Sequence, residues 1–578
     1  MSKTSCTARM KFADTTAVLD AVPSTSDNQN FGSLSFLAGS DAVDLPPYGT
    51  TEKNQFVLDG SHPIMPDELE NVTFWSLEKT DDNCEFQKLP KIEITFSKNH
   101  SSAGITLYFS DDYPAEISVT WYALTGEKLM KKSFFPDSLT YYCKNQVQNY
   151  GKIVVEFVRT RFPDRYIKLQ YILYGRYLIW SDSEVMTAKI HEEVDETSDT
   201  LAINTAEIKI SDEAYDFDIS NPDGEWKSVQ AEQPVWISES VDGVEIDLGT
   251  FFVSSQTFSE NSSKFSLIDT VGLMDRYTFR EGRVYSEEKA GDIMKEIFAA
   301  AGVDKYEIAP ELYDVLLTGH LEIQTCRDAL KTVCFAIGAL ADDSRSDTVK
   351  VYKPTRYVSS QIGPDRKISG KTSLELDQYI SGISIECNTY TLGTEEQELY
   401  NDELPTGIST IELSSPCDPE SIAVSGGTLK SAKTNYVEIQ MDTAGVCVIK
   451  GKTYEKDSFS ASLHQTILEG GEKGNVKEYA SVPIYSKAVL PEKLESLLSY
   501  YQLRKKLSMQ FFVETEKVGN WVNIRDVKGN VATTTLLSQD IDLTGGYIAT
   551  ASCRGYSAVV TAHYYTGTEL YAGGSEII

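Results

Sequence analysis

The stretch from Glu184 to Arg276 decides the fold class of this chain. It contains the segments VMTAKI at 185–190, LAINTAEIKI at 201–210, LGTFFV at 248–253 and FSLID at 265–269. The segments are short, rich in β-branched and aromatic residues, and mostly alternate apolar with polar positions. A period of two places one face of a strand on a core and the other in water. The stretch therefore predicts one complete β-barrel-like module.

A second stretch near the C-terminus repeats the order of this pattern. Both stretches contain a Val-x-Ile strand, at residues 244–246 and 522–524. A connecting strand follows in each, and then a strand of small and apolar residues runs into glycine, Gly272 in the first and Gly555 in the second. We interpret the two stretches as an internal pseudo-repeat. A trimer of chains with two similar barrels would present six similar surfaces and could dock on a hexameric partner.

The chain is longer than one hydrophobic core supports. Its 578 residues suggest about four domains, at roughly 150 residues each. The predicted fold class is mainly β with a smaller α+β part, namely a β-sandwich followed by two β-barrels with α/β and β insertions. The predicted boundaries are 1–52 for an N-terminal arm or linker, 53–178 for the sandwich, 179–285 for the first barrel, 286–369 for a small α/β domain, 370–400 with 486–560 for the second barrel, 401–485 for an inserted β domain, and 561–578 for a C-terminal tail.

Three helices are expected between the two barrels. The first begins near Ser286, a residue type that caps helices, and ends at Gly302. The second begins at the capping sequence from Thr325 to Asp328, and the third has Pro491 near its start. Apolar residues recur on one face of each segment, which favours amphipathic helices packed on a core.

The charge and cysteine content narrow the function classes. The formal net charge is −33, from 53 basic and 86 acidic residues, so free nucleic acid is disfavoured as a tight ligand. A negative surface could line a passage through which DNA slides without sticking, and solubility alone is the favoured alternative. Nine scattered cysteines without a CxxC pair indicate a reduced site of synthesis. No apolar run is long enough for a signal sequence or a membrane span.

No catalytic or metal-binding motif is present in the sequence. Walker, GxGxxG, HExxH and GxSxG patterns are absent, and the six histidines have no metal-ligand spacing. His191 with Glu192 and Glu193 is interpreted as a solvated charge cluster in preference to an ion site. Asp111 and Asp112 fall short of the six to eight oxygens that calcium takes. We therefore predict no catalytic residue, no metal and no cofactor, and a protein that is not an enzyme.

The strands between residues 53 and 178 are separated by turn sequences and show no helical period. Their pattern resembles a discoidin-type carbohydrate-binding module, and this resemblance implies that loops at one end of the sandwich hold a glycan. Four aromatic residues are candidates for stacking on sugar. They are Tyr113, Trp121, Tyr122 and Phe162. Packing in the core is the favoured alternative for an aromatic side chain inside a strand.

Several sequence strings resemble a known family. IHEEVD at 190–195, DTLAINT at 199–205 and LTGGYIA at 543–549 resemble prophage tail proteins of Gram-positive bacterial hosts. TFSKNHSS at 95–102 and DYPAE at 112–116 resemble the β-sandwich that precedes the hub in the same proteins.

The resemblance implies a baseplate hub or tail-tip protein in the virion, assembled in the host cytoplasm. Such a protein is a homotrimer of paired barrels that caps the hexameric tail tube and takes part in host attachment. Its partners are the tube and the distal tail or baseplate proteins, and DNA only passes through it. Two alternatives stay open: a tail adhesin that binds a host-surface glycan, and a tail-associated cell-wall hydrolase. The sequence shows no further domain after the second barrel, so lytic activity is not expected.

Overall fold

The computed structural model describes residues 3–13, 15–29, 32–34, 37, 52, 72–213, 215, 217–218, 220–221, 229, 232–259, 261–465, 475–525 and 531–558. The chain divides into two compact units. The sandwich unit comprises Arg9–Ile179 and Glu213–Gln233, and the larger unit comprises Met1–Ala8, Trp180–Asp212 and Pro234–Ile578. The fold is mainly β with a smaller helical part, as the sequence predicts. The predicted tail at 561–578 lies outside the described residues.

The chain begins with ten strands and one short helix. They are β1 (Thr4–Ala13), α1 (Thr15–Asp20), β2 (Val22–Ser24), β3 (Phe74–Trp75), β4 (Lys91–Phe109), β5 (Pro114–Tyr122), β6 (Lys128–Phe134), β7 (Thr140–Thr160), β8 (Lys168–Leu173), β9 (Gly175–Trp180) and β10 (Val185–Glu193). In the sandwich unit the strand order is β3-β8-β4-β7-β5-β6, with β2 paired to β4. The interpretation of 1–52 as an arm or linker is wrong where the structure describes it, because β2 extends this sheet.

One core lies inside the sandwich unit. The long strands β4 and β7 pair at both ends, Ile94 facing Ile153 near one end and Ile105 facing Cys143 near the other, with register breaks between. Both ends contribute fully buried side chains to the same apolar cluster. The alternation of buried and exposed residues along β4 follows from the period of two that the sequence shows. Two of the seven strands of this sheet, β4 and β7, thus run from one end of the core to the other.

The larger unit continues with two groups of elements. The first is β11 (Thr205–Ser211), β12 (Pro234–Val241), β13 (Val244–Ser259), β14 (Ser262–Ile268), α2 (Thr270–Leu273), a 3-10 turn (Met274–Arg276) and β15 (Thr278–Phe279). The second is β16 (Val284–Lys289), α3 (Ala290–Ala300), β17 (Tyr306–Ile308), α4 (Pro310–Tyr313), β18 (Leu316–His320), β19 (Gln324–Thr325), α5 (Cys326–Ile337), β20 (Leu340–Asp342) and β21 (Val349–Tyr352). The helices α3 and α5 pack with these strands around one buried cluster, which is the predicted α/β domain.

The remaining elements form the second barrel-like part and its insertion, except for a short strand at Ile484–Tyr485 that pairs with β18. They are β22 (Val358–Ile362), β23 (Lys367–Leu376), β24 (Ile380–Leu404), β25 (Gly407–Glu412), β26 (Ala423–Ser425), β27 (Thr428–Ala432), β28 (Tyr436–Met441), β29 (Gly445–His464), β30 (Asn475–Val482), β31 (Ile484–Tyr485), α6 (Leu490–Tyr501), β32 (Lys505–Phe512), β33 (Trp521–Arg525), β34 (Val531–Asp542) and β35 (Ile548–Ala558). A second 3-10 turn covers Pro419–Ser421.

Two sets of strands in the larger unit have the same topology. The first module is β10 to β14, in the order β12-β13-β14-β11-β10, and the second module contains β33-β34-β35-β32-β23 in the same order. In each, two antiparallel strands are followed by a three-stranded meander whose last strand pairs with the second strand. This arrangement gives the pseudo-repeat of the sequence a structural form. Among the described strands no ladder closes either module on itself, so the two predicted barrels are halves of one open sheet.

The predicted boundary of the second barrel needs correction. Residues 380–400 were assigned to it, but β24 pairs along its length with β29 and also with β30, and so belongs to the insertion. The strands β22 and β23, from residues 358–376, take its place, β22 pairing with β33 and β23 with β32. A strand of 25 residues finds its partner by long-range pairing, which local sequence patterns do not reveal.

A buried lysine on α6 contacts the segment that follows β10. The Nζ atom of Lys493 donates a hydrogen bond of 2.7 Å to the carbonyl of Thr197 and lies 4.4 Å from the centre of the Phe335 ring. Burial lowers the pKa of Lys493 to about 8, and the carboxylates of Asp195 and Asp199 offset only part of this effect. The neutral amine still carries a hydrogen to donate, so deprotonation preserves the contact.

Because of Lys493, we expect the unfolding free energy of the protein to rise with pH. The pKa of Lys493 is lower in the folded chain than in the unfolded chain, so the unfolded chain binds the proton more tightly. The cost of burying the charged ammonium therefore disappears as pH rises from about 8 to about 10.5. We expect the wild type to gain about 3 kcal/mol of unfolding free energy over this range relative to Lys493→Met. Urea unfolding of both proteins across the range measures the difference. Parallel curves would contradict the prediction.

Candidate functional site

A single antiparallel ladder joins the two modules. In it, residues 189–193 of β10 pair with residues 538–542 of β34, so that Ile190 faces Ile541. Both isoleucines are 1% exposed, which makes the centre of the joint part of the core. The ladder turns the strands of both modules into one continuous sheet.

The solvent-facing side of this sheet is the candidate functional surface, called here the shared face. Ala188, Ile190 and Glu192 are buried, whereas the alternate residues of β10 point away from the core. The shared face encloses a concave space of about 680 Å³. Residues from eight strands line it, including Lys189, His191, Glu207, Ser266, Gln510, Asp540 and Thr550.

Carboxylates lie beside two basic side chains of the shared face. The Nδ1 atom of His191 lies 2.8 Å from an oxygen of Asp540, and its Nε2 lies 3.6 Å from Glu193. The ammonium of Lys264 is 2.6 Å from Glu207. Among the charged lining residues, Glu207, Asp540 and Asp542 outnumber Lys189, so this face attracts phosphates less than a basic stripe would.

Beneath the shared face, a buried ion pair connects β10 to the loop after β20. The guanidinium of Arg345 donates to the two oxygens of Glu192 at 2.8 and 3.2 Å. Burial alone would lower the pKa of Arg345, but the attraction and hydrogen bonds of Glu192 outweigh it and raise that pKa. Gly249 has a φ of +106°, and a Cβ there would lie 3.3 Å from the Cα of Arg345, so the close approach favours glycine.

Two buried carboxyl groups meet where the first module joins the α/β domain. Asp269 ends β14 and caps α2 by accepting from the amide of Gly272 at 2.6 Å, and it also accepts from Asn204. Asp343 accepts from the amide of Thr270 at 2.8 Å, and its carboxyl group lies beside that of Asp269. Burial is the main cause that raises the pKa of Asp269, and repulsion by Asp343 raises it further. Burial also raises the pKa of Asp343. Burial therefore favours a protonated form of this pair.

The structure separates the predicted charge cluster at residues 191–193. His191 and Glu193 contribute to the solvent-facing side, but Glu192 is buried against Arg345. Asp111 and Asp112, which are too few to bind calcium on their own, are the second group of acids considered from the sequence. Asp111 contacts the ammonium of Lys168 at 2.7 Å. Among the described residues, no group of three or more His, Cys, Asp or Glu side chains is arranged to hold a metal ion.

The four predicted glycan-contact residues lie in different environments. Trp121 is 0% exposed inside the sandwich core, so the structure leaves it no face for an external ligand. Tyr113 packs against the same core and is partly buried, and Tyr122 is also partly exposed. Phe162 is 49% exposed. Burial in strand β5 explains the position of Trp121, as the alternative interpretation expected.

An arginine that the sequence did not single out brings two of these aromatics together. The guanidinium carbon of Arg161 lies 4.2 Å from the ring centre of Tyr113 and 5.1 Å from that of Phe162. One of its nitrogens is 3.5 Å from Asp112. The stack joins the loop between β4 and β5 to the loop after β7. Its sequence signal is only the adjacency of Arg161 and Phe162, which does not reveal Tyr113 as the partner.

Comparisons with known proteins give similarity at the level of solved structures. No family model matches the chain, and no curated protein matches it. The tail protein from Neisseria meningitidis MC58 aligns at 10% identity with a TM-score of 0.39, covering 64% of this chain and 92% of its own. The 43 kDa tail protein of prophage MuSo2 from Shewanella oneidensis aligns at 8% identity with a TM-score of 0.38, covering 65% and 95%.

A third similar structure is the prophage tail protein gp18 from Listeria monocytogenes EGD-e. It aligns at 8% identity with a TM-score of 0.38 and covers 66% of this chain and 91% of its own. Within the part of the chain that the structure describes, no helix has the length and apolar character needed to cross a membrane.

Proposed function

We propose that this chain is a structural tail protein of a phage virion, a homotrimeric hub or tail-tip protein that caps the tail tube. One observation carries the proposal: two modules of identical strand order are joined edge to edge into one sheet. A repeat of two in each chain, taken three times, matches the sixfold symmetry of a hexameric tube. The tail context comes from the resemblance of residues 190–195 and 543–549 to prophage tail proteins of Gram-positive hosts.

The shared face is the surface that would line the passage. Its basic side chains His191 and Lys264 lie beside the carboxylates of Asp540 and Glu207, and the whole chain carries a net charge of −33. A polyanion meets neither a strong attraction nor a basic stripe there. DNA is therefore a transient passenger in this proposal, and the lasting partners are the tail tube and the distal tail or baseplate proteins. Assembly would take place in the cytoplasm of the host.

Mass and binding measurements test the proposal. Native mass spectrometry and light scattering of the full chain should give three times the mass of the 64.3 kDa chain. Added tail tube should bind this species at one end, as seen by electron microscopy. A monomer that does not bind the tube would overturn the proposal. We propose no enzymatic activity, and zymography on peptidoglycan with the same protein should show no clearing.

A second candidate function, host-surface glycan binding, rests on the stack of Tyr113, Arg161 and Phe162. An exposed aromatic ring beside a guanidinium and the carboxylate of Asp112 offers both a stacking face and hydrogen-bonding groups for a sugar. Tyr122 remains a weaker candidate because it does not belong to this stack. The two functions are compatible, since a tail hub can carry an adhesive domain.

Replacing Phe162 with alanine tests the glycan candidate. In the full chain we expect roughly tenfold weaker binding to purified host cell-wall polysaccharide, because the stacking face is removed. Leu77→Ala is the matched control, since Leu77 is 50% exposed in the same unit. Isothermal titration with the polysaccharide measures both variants. Equal binding by both variants, or no binding by the wild type, would remove this function.

A further inference from the structure

The joint between the two modules uses only two of four equivalent strand edges. It joins the free edge of β10, the first strand of the first module, to β34, the fourth strand of the second. The equivalent edges are β23, the first strand of the second module, and β13, the fourth strand of the first. Within the described residues, nothing pairs with β23 on the side away from β32, or with residues 254–259 of β13 on the side away from β14.

The ladders of the two modules can be aligned residue by residue. At the start of β14, Ser262 pairs with Ser259 and Ser211. At the start of β35, Ile548 pairs with Asp542 and Phe512. Ser259 therefore corresponds to Asp542, and Ser211 to Phe512.

Bulges in the fourth strands support this alignment independently. The register of β13 shifts between Val253 and Ser255, and that of β34 shifts between Leu536 and Ser538. The two shifts coincide when Ser259 is placed on Asp542. A bulge is a specific feature of a ladder, so its recurrence at one place indicates the same strand geometry in both modules.

The same alignment identifies the counterparts of the joint. Ile190 faces Ala206 in β11, and Leu374 faces Leu507 in β32, at equivalent positions of the two ladders. Leu374 is thus the counterpart of Ile190. By the same count, Phe258 is the counterpart of Ile541.

Exposure distinguishes the occupied joint from the unoccupied edges. Ile190 and Ile541 are each 1% exposed, whereas Leu374 is 61% and Leu376 is 66% exposed. The exposed apolar residues lie on a strand whose backbone edge has no described partner. Natural proteins rarely leave such an edge uncovered, because it pairs readily with another strand.

We propose that β23 of one copy pairs antiparallel with residues 256–259 of β13 in a second copy, in the register of the internal joint. Ser373 then faces Ser259 of the second copy, Leu374 faces its Phe258, Glu375 its Thr257 and Leu376 its Gln256. The occupant is a second copy because the only observed partner for this type of edge is the other module of the same chain. The contact is heterologous, because it joins two different edges. Each copy makes two such contacts, one through β23 and one through β13, and three copies close a ring. The inference rests on the trimer proposed above and adds its interface.

Engineered disulfides test the register in the full chain. The pair Glu375→Cys with Thr257→Cys places both thiols on directly opposite residues, within the range of a disulfide. Oxidation should give a covalent trimer on a non-reducing gel. The pair Glu375→Cys with Ser255→Cys is shifted by two residues along the same face, and there the thiols are too far apart to bond efficiently. Eight of the nine native cysteines are buried, so the wild type provides a low background.

The outcomes separate this interface from the proposed trimer itself. A native trimer that the first pair does not cross-link, or that the shifted pair cross-links equally well, overturns the register while the trimer stands. A wild-type chain that stays monomeric overturns both proposals. Covalent trimer from the first pair alone supports both.

A second experiment places a charged residue at the apolar centre of the interface. Leu374→Lys should raise the concentration at which the trimer dissociates by roughly tenfold or more, because it removes the counterpart of Ile190. Ile408→Lys is the matched control, since Ile408 is 66% exposed in the inserted β domain. Both side chains are exposed in one chain, so neither change should disturb folding. Equal dissociation of the two variants would contradict the proposal.

Discussion

Replacing Arg345 with methionine is expected to lower the unfolding free energy of the larger unit by about 3–5 kcal/mol. The carboxylate of Glu192 is 1% exposed and receives two hydrogen bonds from the Arg345 guanidinium. Methionine fills a similar volume but leaves that carboxylate buried without a counter-charge. Breaking a buried pair costs more than the pair contributes, since the remaining charge has lost its water as well as its partner. Guanidinium unfolding at neutral pH measures the loss.

A second pair on the surface provides the control. Arg280 contacts Glu412 at 3.1 Å, but these side chains are 47% and 58% exposed, so Arg280→Met should cost at most about 1 kcal/mol. The double variant with Glu192→Gln and Arg345→Met should recover much of the stability lost by Arg345→Met alone, because no buried charge remains. If Arg345→Met costs no more than Arg280→Met, the buried pair does not hold β10 to the α/β domain.

Local patterns predicted the elements that depend on local rules. The helix capped at Thr325 is present, since the Thr325 hydroxyl accepts from the amide of Asp328, and Gly338 ends it in the left-handed conformation. The alternation that predicted a half-buried strand at 185–190 holds along β10. The first helix begins at Ala290 instead of Ser286, because Tyr285 and Glu288 pair with β18. Strand pairing there takes precedence over the capping preference.

Long-range pairing is the part that the sequence did not reveal. The partner of His191 is Asp540, and the partner of Glu192 is Arg345, and no periodicity connects either pair. The pseudo-repeat was visible as a Val-x-Ile strand at 244–246 and at 522–524. Its meaning depends on the ladder between β10 and β34, which only the folded chain shows. The candidate surface was therefore predictable as a pair of modules, but its lining residues were not.

Stability of the wild type is also expected to fall as pH rises through the titration of the Asp269–Asp343 pair. Burial raises the pKa of both carboxyls above the usual 3.8. The folded chain therefore binds the shared proton more tightly than the unfolded chain. Its contribution is complete at a pH below 3.8 and is lost progressively above that value, as the pair gives up its proton. Each unit by which a pKa is raised corresponds to about 1.4 kcal/mol.

Asp343→Asn isolates this effect because asparagine has the same shape and cannot ionise. Its amide can donate to Asp269 at every pH while its oxygen still accepts from the amide of Thr270. We expect the stability of the variant to depend less on pH than that of the wild type, so that the variant is the more stable of the two at the alkaline end of the range. Asp314→Asn is the control, since the Asp314 side chain is 74% exposed and pairs with Lys289.

Urea unfolding at intervals from pH 4 to pH 9 makes the comparison. All other titratable groups are present in every variant, so the difference between the curves reports on the pair. Parallel curves for wild type and Asp343→Asn would show that the two carboxyls do not share a proton. A difference that grows with pH would show that a proton held between these carboxyls fastens the end of β14 to the α/β domain. The shared face would then be anchored to that domain through two buried contacts of different chemistry, the ion pair of Glu192 with Arg345 and the protonated carboxyl pair of Asp269 with Asp343.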